Sequence, residues 1–580
     1  MNAAIQAQFA GFENKGLVGV GRLSGEQFDA LGPDVDTLGG IFSGIAFDVN
    51  SWERTGDPSN GFTYRGRLVC VPDRGYGPST LGGTFDYHPR VHTLSVEVTP
   101  YYGSGPVAQT QIGLTLLGTR LLTVDGTTLL TGASANDTAE PAFPKSANSS
   151  VGQGRRSLDS EGIALARDGG YFLCDEYGPY VYRFDAAGVL VAALRPPDAW
   201  IPRTGDTYGS RTVDFGAVNP PSSGRKNNRG IEGLALSPDE KRLFALLQSP
   251  LVQDGGEDNA SRNTRLLVFD VENGSPTRYQ AVAEFIYELT LNGNISGTRQ
   301  TITSELLALN EHQFLVLDRD QRGRNSGSAA EMIYKQVVLI ETAGATNIFG
   351  TGYDLEAGAP GQLSLPLSGM PPGITPVARQ DFVDLLDLTE LGKFGLNIHA
   401  DSPDTNTLVE KWEAMTIMPL NDPTAPDDFL LLVGCDNDFG ATTVYHNSVV
   451  VGTNAETTDH LLLAWRVTLP GFAFNAIPQV WIAPEGANAR VSWLFGFPHY
   501  DLETTPALTP ATWTTVLAPA STALFPLSDG MRFFRLKERP IPVATAVPRS
   551  LSPTNVAPAS PGQRARVRDS QPGKKARSRQ

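Results

Sequence analysis

The sequence predicts an all-β protein built around a β-propeller, and three observations support this prediction. The chain of 580 residues contains 60 Gly and 42 Pro, which is typical of many short strands joined by tight turns. A unit of two short apolar strands and a turn recurs through roughly the first 470 residues. Both strands are too short and too continuously apolar for amphipathic helices. We expect six blades, with seven as the alternative.

Each unit begins with a Glu at its first strand and usually ends with an Asp after its second strand. The first unit lacks the Glu, and the third ends in Gln248 where an acid is expected. Long gaps at 75–159 and 321–411 leave room for further blades. The strand pairs are SGIAF with LVCVPDR, SEGIAL with YFLCDE, IEGLAL with RLFALLQ, SELLAL with FLVLDRD, and WEAMTI with LLLVGCDND.

Antiparallel pairing places the Glu and the Asp of a unit at the same end of its sheet. Because the innermost strands of a propeller line one channel, we expect the motif acids to converge at one mouth of that channel. These acids are Asp73, Glu161, Asp175, Glu232, Glu305, Asp318, Glu413 and Asp436. Carboxylates this close repel one another unless they are protonated or bind a metal.

The expected cofactor is Ca²⁺, a hard cation that takes several oxygen ligands. The predicted ligands are Asp73, Glu161, Asp175, Glu232, Asp318, Glu413 and Asp436. The alternative interpretation gives the repeated acids structural roles in turns and strand caps.

Arginines accompany the acids in three units. Arg74 and Arg319 directly follow motif aspartates, and Arg229 precedes Glu232 by three residues. Because a guanidinium suits phosphate or carboxylate, the set predicts a metal-assisted hydrolase of an ester, with a phosphoester as the leading substrate. We assign catalysis to Glu161 or Asp175 for water activation, and to Arg74 or Arg319 for the leaving anion.

Two other functions stay open. The same mouth would suit a non-catalytic binding or scaffold protein, or a lactonase-like metal hydrolase. The sequence contains no GxSxG motif, so a serine esterase of the α/β-hydrolase type is not supported.

Composition divides the chain into three predicted parts. Residues 16–470 form the propeller, and residues 471–537 form a small β-sandwich of short strands separated by Pro, Thr and Asp turns. Residues 538–580 are rich in Pro, Ser, Ala and Arg, and are predicted to be disordered because they cannot bury a core.

Charge and hydropathy limit the partners. The net charge is −16; residues 537–580 carry ten bases and two acids (+8), which leaves −24 for the rest. A body this acidic argues against nucleic acid, and the absence of an 18-residue apolar run argues against a membrane span. We expect a monomer acting on a small-molecule ester or phosphoester. The three cysteines are predicted to be buried and unpaired.

The motifs resemble the phytase-like family described by the "esterase-like activity of phytase", over roughly residues 16–470. The resemblance is carried, in order, by SGIAFD, CVPDRG, DSEGIALARDGGYFLCDEYGPYVYRFDAAG, NRGIEGLALSPDEKRLFALLQ, LVLDRD, KWEAMTIMP and LLLVGCDNDF. It implies a six-bladed propeller, calcium, hydrolysis of a phosphate or other ester, and secretion or periplasmic residence. The N-terminus as given does not read as a signal peptide.

The resemblance also implies functional positions. The family's acidic positions carry over to Asp73, Glu161, Asp175, Glu176, Glu232, Asp318, Glu413, Asp436 and Asp438. Gluconolactonase-like propellers are a second analogy, because they share the Glu-Gly opening and a single central metal.

Overall fold

The computed structural model describes residues 8–32, 34–57, 59–77, 85–134, 144–216, 221–255, 261–290, 301–326, 331–367, 369–422, 424–474, 480–493, 500–516 and 522–538. These ranges hold thirty β-strands and the short α-helix α1 (Leu388–Gly392). Short 3₁₀ turns lie at Asp198–Trp200, Val252–Asp254, Gly352–Asp354 and Leu527–Asp529. The prediction of a nearly all-β chain is therefore confirmed. No helix in the described ranges is long and apolar enough to cross a bilayer.

Four sets of four antiparallel strands follow one another along the chain; the last three are separate sheets, and the first is half of an eight-stranded sheet. The first contains β2 (Gly44–Asp57), β3 (Gly61–Val71), β4 (Arg90–Val98) and β5 (Ile112–Leu121). The second contains β6 (Ser160–Leu165), β7 (Tyr171–Asp175), β8 (Val181–Phe184) and β9 (Leu190–Leu194). The third contains β12 (Ile231–Leu236), β13 (Arg242–Leu247), β14 (Asn263–Asp270) and β15 (Ala281–Glu288). The fourth contains β16 (Ile302–Ala308), β17 (Gln313–Arg319), β18 (Lys335–Glu341) and β19 (Ala378–Asp384).

The other half of the eight-stranded sheet is a fifth set of four strands, which joins the two ends of this series. Its strands are β20 (Trp412–Pro419), β21 (Asp428–Cys435), β24 (His460–Thr468) and β1 (Glu13–Leu23). The N-terminal strand β1 pairs antiparallel with β24 and makes one parallel bridge to β5, between Gly21 and Ile112. The start of the chain thus completes the last sheet and links it to the first.

The innermost strands form a closed ring. Strand β2 contacts β6, β6 contacts β12, β12 contacts β16, β16 contacts β20, and β20 returns to β2. The expected sixth blade is not confirmed, because in the described part of the chain five sheets complete the ring. The two long sequence gaps hold outer strands and loops of existing sheets, namely β4 and β5 in the first gap and β18 and β19 in the second.

Apolar side chains fill the space between neighbouring sheets. The inner strand β20 is buried along its whole length, and β12 is buried at five of its six residues. Inner strands covered on both faces appear as continuous apolar runs in the sequence, which is why the repeat was visible. Cys70, Cys174 and Cys435 are buried and unpaired, as predicted.

Smaller sheets surround or follow this ring. Two hairpins, β10 (Arg203–Thr204) with β11 (Thr212–Val213) and β22 (Thr443–His446) with β23 (Val449–Thr453), lie in loops. Two three-stranded sheets follow the ring, and Val491, Trp493 and Leu502 form a small core there. Their strands are β25 (Val480–Glu485), β26 (Asn488–Trp493), β27 (Tyr500–Thr505), β28 (Thr514–Thr515), β29 (Thr522–Pro526) and β30 (Phe533–Glu538). The domain boundaries at 470 and 537 stay a prediction, and the predicted disordered tail lies, apart from residue 538, outside the described residues.

Candidate active site

A β-bulge near the start of three inner strands sets the direction of the motif acids. In β12 the extra residue is Glu232, and in β20 it is Glu413. In β6 the irregularity falls at Glu161 and Gly162. A bulge re-aims its extra side chain away from the normal alternation of the strand. All three glutamates thereby reach the end of the ring where the inner strands begin, as the sequence predicted.

The fourth sheet departs from this pattern. In β16 the extra residue is Ser304, whose Oγ accepts a hydrogen bond from Arg319 Nε at 2.9 Å. Glu305 lies one position further, level with Gly233 of β12, and its Oε1 accepts the backbone N–H of Leu306 at 2.8 Å. The prediction that Glu305 joins the other glutamates is therefore wrong, because the bulge in β16 shifts the register by one residue.

Asp175 and Asp318 lie one register position away from the motif glutamates, although Asp175 remains beside Asp159. Asp175 pairs with Ser160 across the hairpin, so it is level with Cys435 of the fifth sheet rather than with Asp436. Side chains alternate along a strand, so the residue after each aspartate points the other way. These residues, Glu176 after Asp175 and Arg319 after Asp318, lie among the motif glutamates at the end of the ring. For this reason neither aspartate faces the motif glutamates, and the site roles predicted for Asp175 and Asp318 stay predictions.

Both aspartates have local partners instead. Asp175 accepts backbone N–H groups of Asp159, Tyr177 and Gly178, each at 3.0 Å. Asp318 Oδ2 accepts the hydroxyl of Tyr287 at 2.5 Å. Burial raises the pKa of Asp175 to about 7 and that of Asp318 to about 6.

We call the charged side chains at this end of the ring the mouth cluster. Its acids interact electrostatically with one another and with the four bases, and they outnumber the bases. The acids are Asp73, Asp159, Glu161, Glu176, Glu232, Glu410, Glu413, Asp436 and Asp438, and the bases are Arg74, Arg229, Arg319 and Lys411. Of the predicted ligands, Asp73, Glu161, Glu232, Glu413 and Asp436 belong to it.

Two triplets of carboxylates are close enough to share a metal ion. In the first, oxygens of Asp159, Glu161 and Glu176 all lie within 4.8 Å of one another. Arg74 Nη1 lies 2.7 Å from Asp159 and 3.8 Å from Glu176, so it approaches this triplet from one side. Oε2 of Glu232 is buried beside the triplet and has no hydrogen-bond partner within the described residues.

The second triplet contains Asp73, Asp436 and Asp438, whose oxygens also lie within 4.8 Å of one another. Lys411 Nζ lies 3.1 Å from Asp438, 3.5 Å from Asp436 and 3.9 Å from Asp73. The ammonium group therefore sits among all three carboxylates.

Burial and mutual repulsion control protonation in the mouth cluster. Burial first, and neighbouring acids second, raise the pKa of Glu161 and Glu232 well above the usual range. Burial likewise raises the pKa of Asp73 to about 6 and that of Glu176 to about 7. Lys411 lowers the pKa of Asp438. A cation among these groups would lower the raised pKa values.

The arginines of the mouth cluster differ in how fully they are paired. Arg319 is bound to Glu413, to Ser304 and, at 3.3 Å, to Glu410. Arg74 is bound to Asp159. Arg229 donates to Gln248, and among the described residues no carboxylate lies within ion-pair distance of it. Arg74 and Arg319 thus hold acids in position, whereas Arg229 interacts with Glu176, Glu232 and Glu410 only beyond ion-pair distance.

Sequence reasoning missed Asp159, Glu410 and Lys411. A signal for two of them was present, because Asp159 and Lys411 both stand two residues before the motif glutamate of their inner strand. That position lies just outside the strand, at the same end of the ring as the glutamate.

Below the mouth cluster the inner strands line a mostly apolar pocket of about 120 Å³ that opens to solvent. Every inner strand lines it, Phe472 and Phe474 lie against it, and Glu305 is the one acid among the described lining residues. Oε2 of Glu305 is buried and has no hydrogen-bond partner within the described residues. Burial raises the pKa of Glu305 well above the usual range.

We predict that Glu305→Gln removes a pH-dependent loss of stability. Because the folded protein holds the Glu305 proton more tightly than the unfolded chain, its contribution is fully present below the unfolded pKa of about 4.3 and is lost as the pH rises. The melting temperature of Glu305→Gln relative to the wild type should therefore increase between pH 4.5 and pH 8. Glu311→Gln, at an exposed position, controls for the loss of one acid; an equal response in both variants would contradict the prediction.

Comparison with known proteins agrees with the motifs. The family model described as "Phytase-like: Esterase-like activity of phytase" matches residues 40–439. The chain belongs to this family. The match begins before β2 and ends after β21, so it includes every acid of the mouth cluster. A relative from Arthroderma benhamiae, described as an "Uncharacterized secreted protein", is 32% identical over 467 residues, which cover 74% of this chain and 87% of the relative.

Several solved structures are similar to this phytase-like chain at low identity. The β-propeller domain of Myceliophteria thermophila Cps50 (Swd1) is 11% identical, covers 67% of this chain and 89% of its own, and gives a TM-score of 0.20. The Malassezia sympodialis allergen Mala s 1 is 10% identical, covers 69% of this chain and 73% of its own, and gives a TM-score of 0.26. TM-scores this low do not support a fold, so the fold follows from the strand pairing of this chain.

Proposed function

We propose that this phytase-like protein is a hydrolase that uses a divalent cation, most simply Ca²⁺, to cleave a phosphoester at the mouth cluster. The observation that supports it is the first triplet, where three buried carboxylates lie within 4.8 Å of one another beside an unpartnered oxygen of Glu232. An all-oxygen donor set of this kind suits a hard cation. Family membership supports hydrolysis in general.

The residues present fit the cation. Asp159, Glu161 and Glu176 would hold it, and its positive charge would offset the burial and mutual repulsion that raise the pKa of Glu161 and Glu176. When bound, a divalent cation supplies positive charge that polarises a phosphoryl or carbonyl oxygen.

Other residues of the mouth cluster would bind the substrate and move a proton. Arg229, which has no carboxylate within ion-pair distance among the described residues, would bind the anionic group of the ester through its guanidinium. Oε2 of Glu232, which has no hydrogen-bond partner within the described residues, would accept the proton of the attacking water and pass it to the alcohol oxygen that leaves as the P–O bond breaks. Arg319 would keep Glu413 and Glu410 in place.

A panel of phosphomonoesters, phosphodiesters, phytate, lactones and short acyl esters tests this proposal, with calcium and with a chelator. We expect turnover of one phosphoester class, lost with chelator and restored by calcium. In Arg229→Met the KM for that substrate should rise at least about 10-fold, as expected when one charged contact to an anion is removed. Arg167→Met, on a turn bonded to Pro238 outside the mouth cluster, is the matched control.

A non-catalytic role is the second candidate. More than nine-tenths of Glu161, Glu232 and Glu413 is buried, which favours a bound ion over a bulky substrate. Turnover of nothing in the panel, together with calcium binding, would replace the hydrolase proposal with this one; turnover of lactones alone would indicate a lactonase.

We also propose that the chain is secreted, since the relative from Arthroderma benhamiae is described as secreted. Its recovery from the cells alone, with none in the medium, would contradict this.

A further inference from the structure

Lys411 occupies the second carboxylate triplet of the mouth cluster. Its Nζ lies between 3.1 and 3.9 Å from oxygens of Asp73, Asp436 and Asp438, which themselves lie within 4.8 Å of one another. Its backbone is fixed as well, because the carbonyl of Lys411 accepts the N–H of Asp436 at 2.8 Å. The ammonium group is thus a cation tethered among three acids.

The first triplet is occupied differently. Arg74 reaches Asp159 at 2.7 Å and Glu176 at 3.8 Å, but no base of the described residues lies within ion-pair distance of Glu161. A guanidinium is a planar group that binds along an edge, so it leaves the centre of this triplet open. A lysine ammonium is a compact point charge, and it fills the centre of the other triplet.

We infer that Lys411 takes the place of a second divalent cation, so that the mouth cluster binds one divalent ion rather than two. This inference rests on the proposed function only for the first ion. A calcium ion needs ligand oxygens at about 2.3–2.6 Å on several sides. In the second triplet it would have to displace an ammonium group that already contacts all three ligands and repels it.

The test is the number of calcium ions bound by the full chain, measured by equilibrium dialysis and by calorimetric titration. The wild type should bind one ion at the mouth cluster. Lys411→Met keeps the length and apolar stem of the side chain but removes its charge, and it should bind two. Lys241→Met removes an exposed lysine that pairs with Glu272 at 3.4 Å and lies in the turn between β12 and β13, at the opposite end of β12 from Glu232; this variant should still bind one.

Each outcome bears on the inference. Two ions in the wild type, or no additional ion in Lys411→Met, would overturn it. No ion in the wild type would refute the proposed calcium site in the first triplet, yet a single ion in Lys411→Met would still support the role of Lys411. If Lys411→Met does not fold, Lys411→Gln serves as the second variant, and failure of the folded Lys411→Gln to gain an ion would also overturn the inference. Adding Asp438→Asn to either variant should remove the gained ion.

Discussion

Glu161→Gln should lower ester hydrolysis by about 100- to 10,000-fold while the protein stays folded, the range expected when a group that acts on proton transfer or charge in the transition state is lost. Glu161 belongs to the first triplet and interacts with Glu232, Asp159 and Glu176. The amide keeps the size of the side chain but removes its charge. Glu161→Gln therefore relieves the repulsion between Glu161 and the neighbouring acids, which favours folding, and at the same time weakens cation binding.

Asp175→Asn is the matched comparison, because it removes one motif acid that lies outside the mouth cluster. Asp175 accepts three backbone N–H groups. We expect a loss of about 1–3 kcal/mol in the free energy of unfolding and a rate per folded molecule within about 10-fold of the wild type. Rates and thermal melts of both variants decide the matter. Full activity in Glu161→Gln, or equal inactivity in a folded Asp175→Asn, would contradict the site described above.

Deleting strand β1, residues 13–23, should prevent the ring from folding. Leu17, Val18, Val20 and Leu23 are buried in this strand, and burial of each is worth about 1.5–3 kcal/mol. Their loss, about 6–12 kcal/mol in sum, is comparable with the whole stability of a typical domain, about 5–15 kcal/mol. The deletion also exposes the edges of β24 and β5.

Circular dichroism and limited proteolysis of the purified deletion variant measure this effect. Val20→Asp should weaken the same strand by placing a charge in the core, while Glu13→Gln, at its exposed end, should leave the melt unchanged. A cooperative melt near the wild-type midpoint in the deletion variant would show that β1 does not close the ring.

The sequence was sufficient to predict the all-β class and much of the mouth cluster. Glu161, Glu232 and Glu413 repeat at the same point of a buried hairpin, and pairing alone then places them together. It was not sufficient for Asp175, Asp318 and Glu305. Each of these three acids lies one residue away from the register position that reaches the mouth cluster in the other sheets. In a strand, a shift of one residue places the side chain on the opposite face. The strands β12 and β16 have similar sequences, but the extra residue of the bulge is the glutamate itself in β12 (Glu232) and the residue before the glutamate in β16 (Ser304). Only in β12 does the glutamate therefore reach the mouth cluster.

The number of blades could not be predicted from the repeated hairpins either. The inner hairpins number five in the sequence, and the gaps at 75–159 and 321–411 are long enough for a further blade. Outer strands such as β5 and β19 are only partly buried and carry no clear repeat. The closure of the fifth sheet by β1 joins residues more than 400 positions apart, which no local pattern reveals.

The thermal melting midpoint with calcium and with chelator tests the central proposal, cation binding by the mouth cluster, most directly. A cation at about 100 times its Kd stabilises the folded state by about 2.7 kcal/mol. The midpoint of the wild type should therefore rise with calcium and fall with chelator, and it should not respond in Glu161→Gln with Glu176→Gln. A wild-type midpoint that is the same in calcium and in chelator would contradict the account.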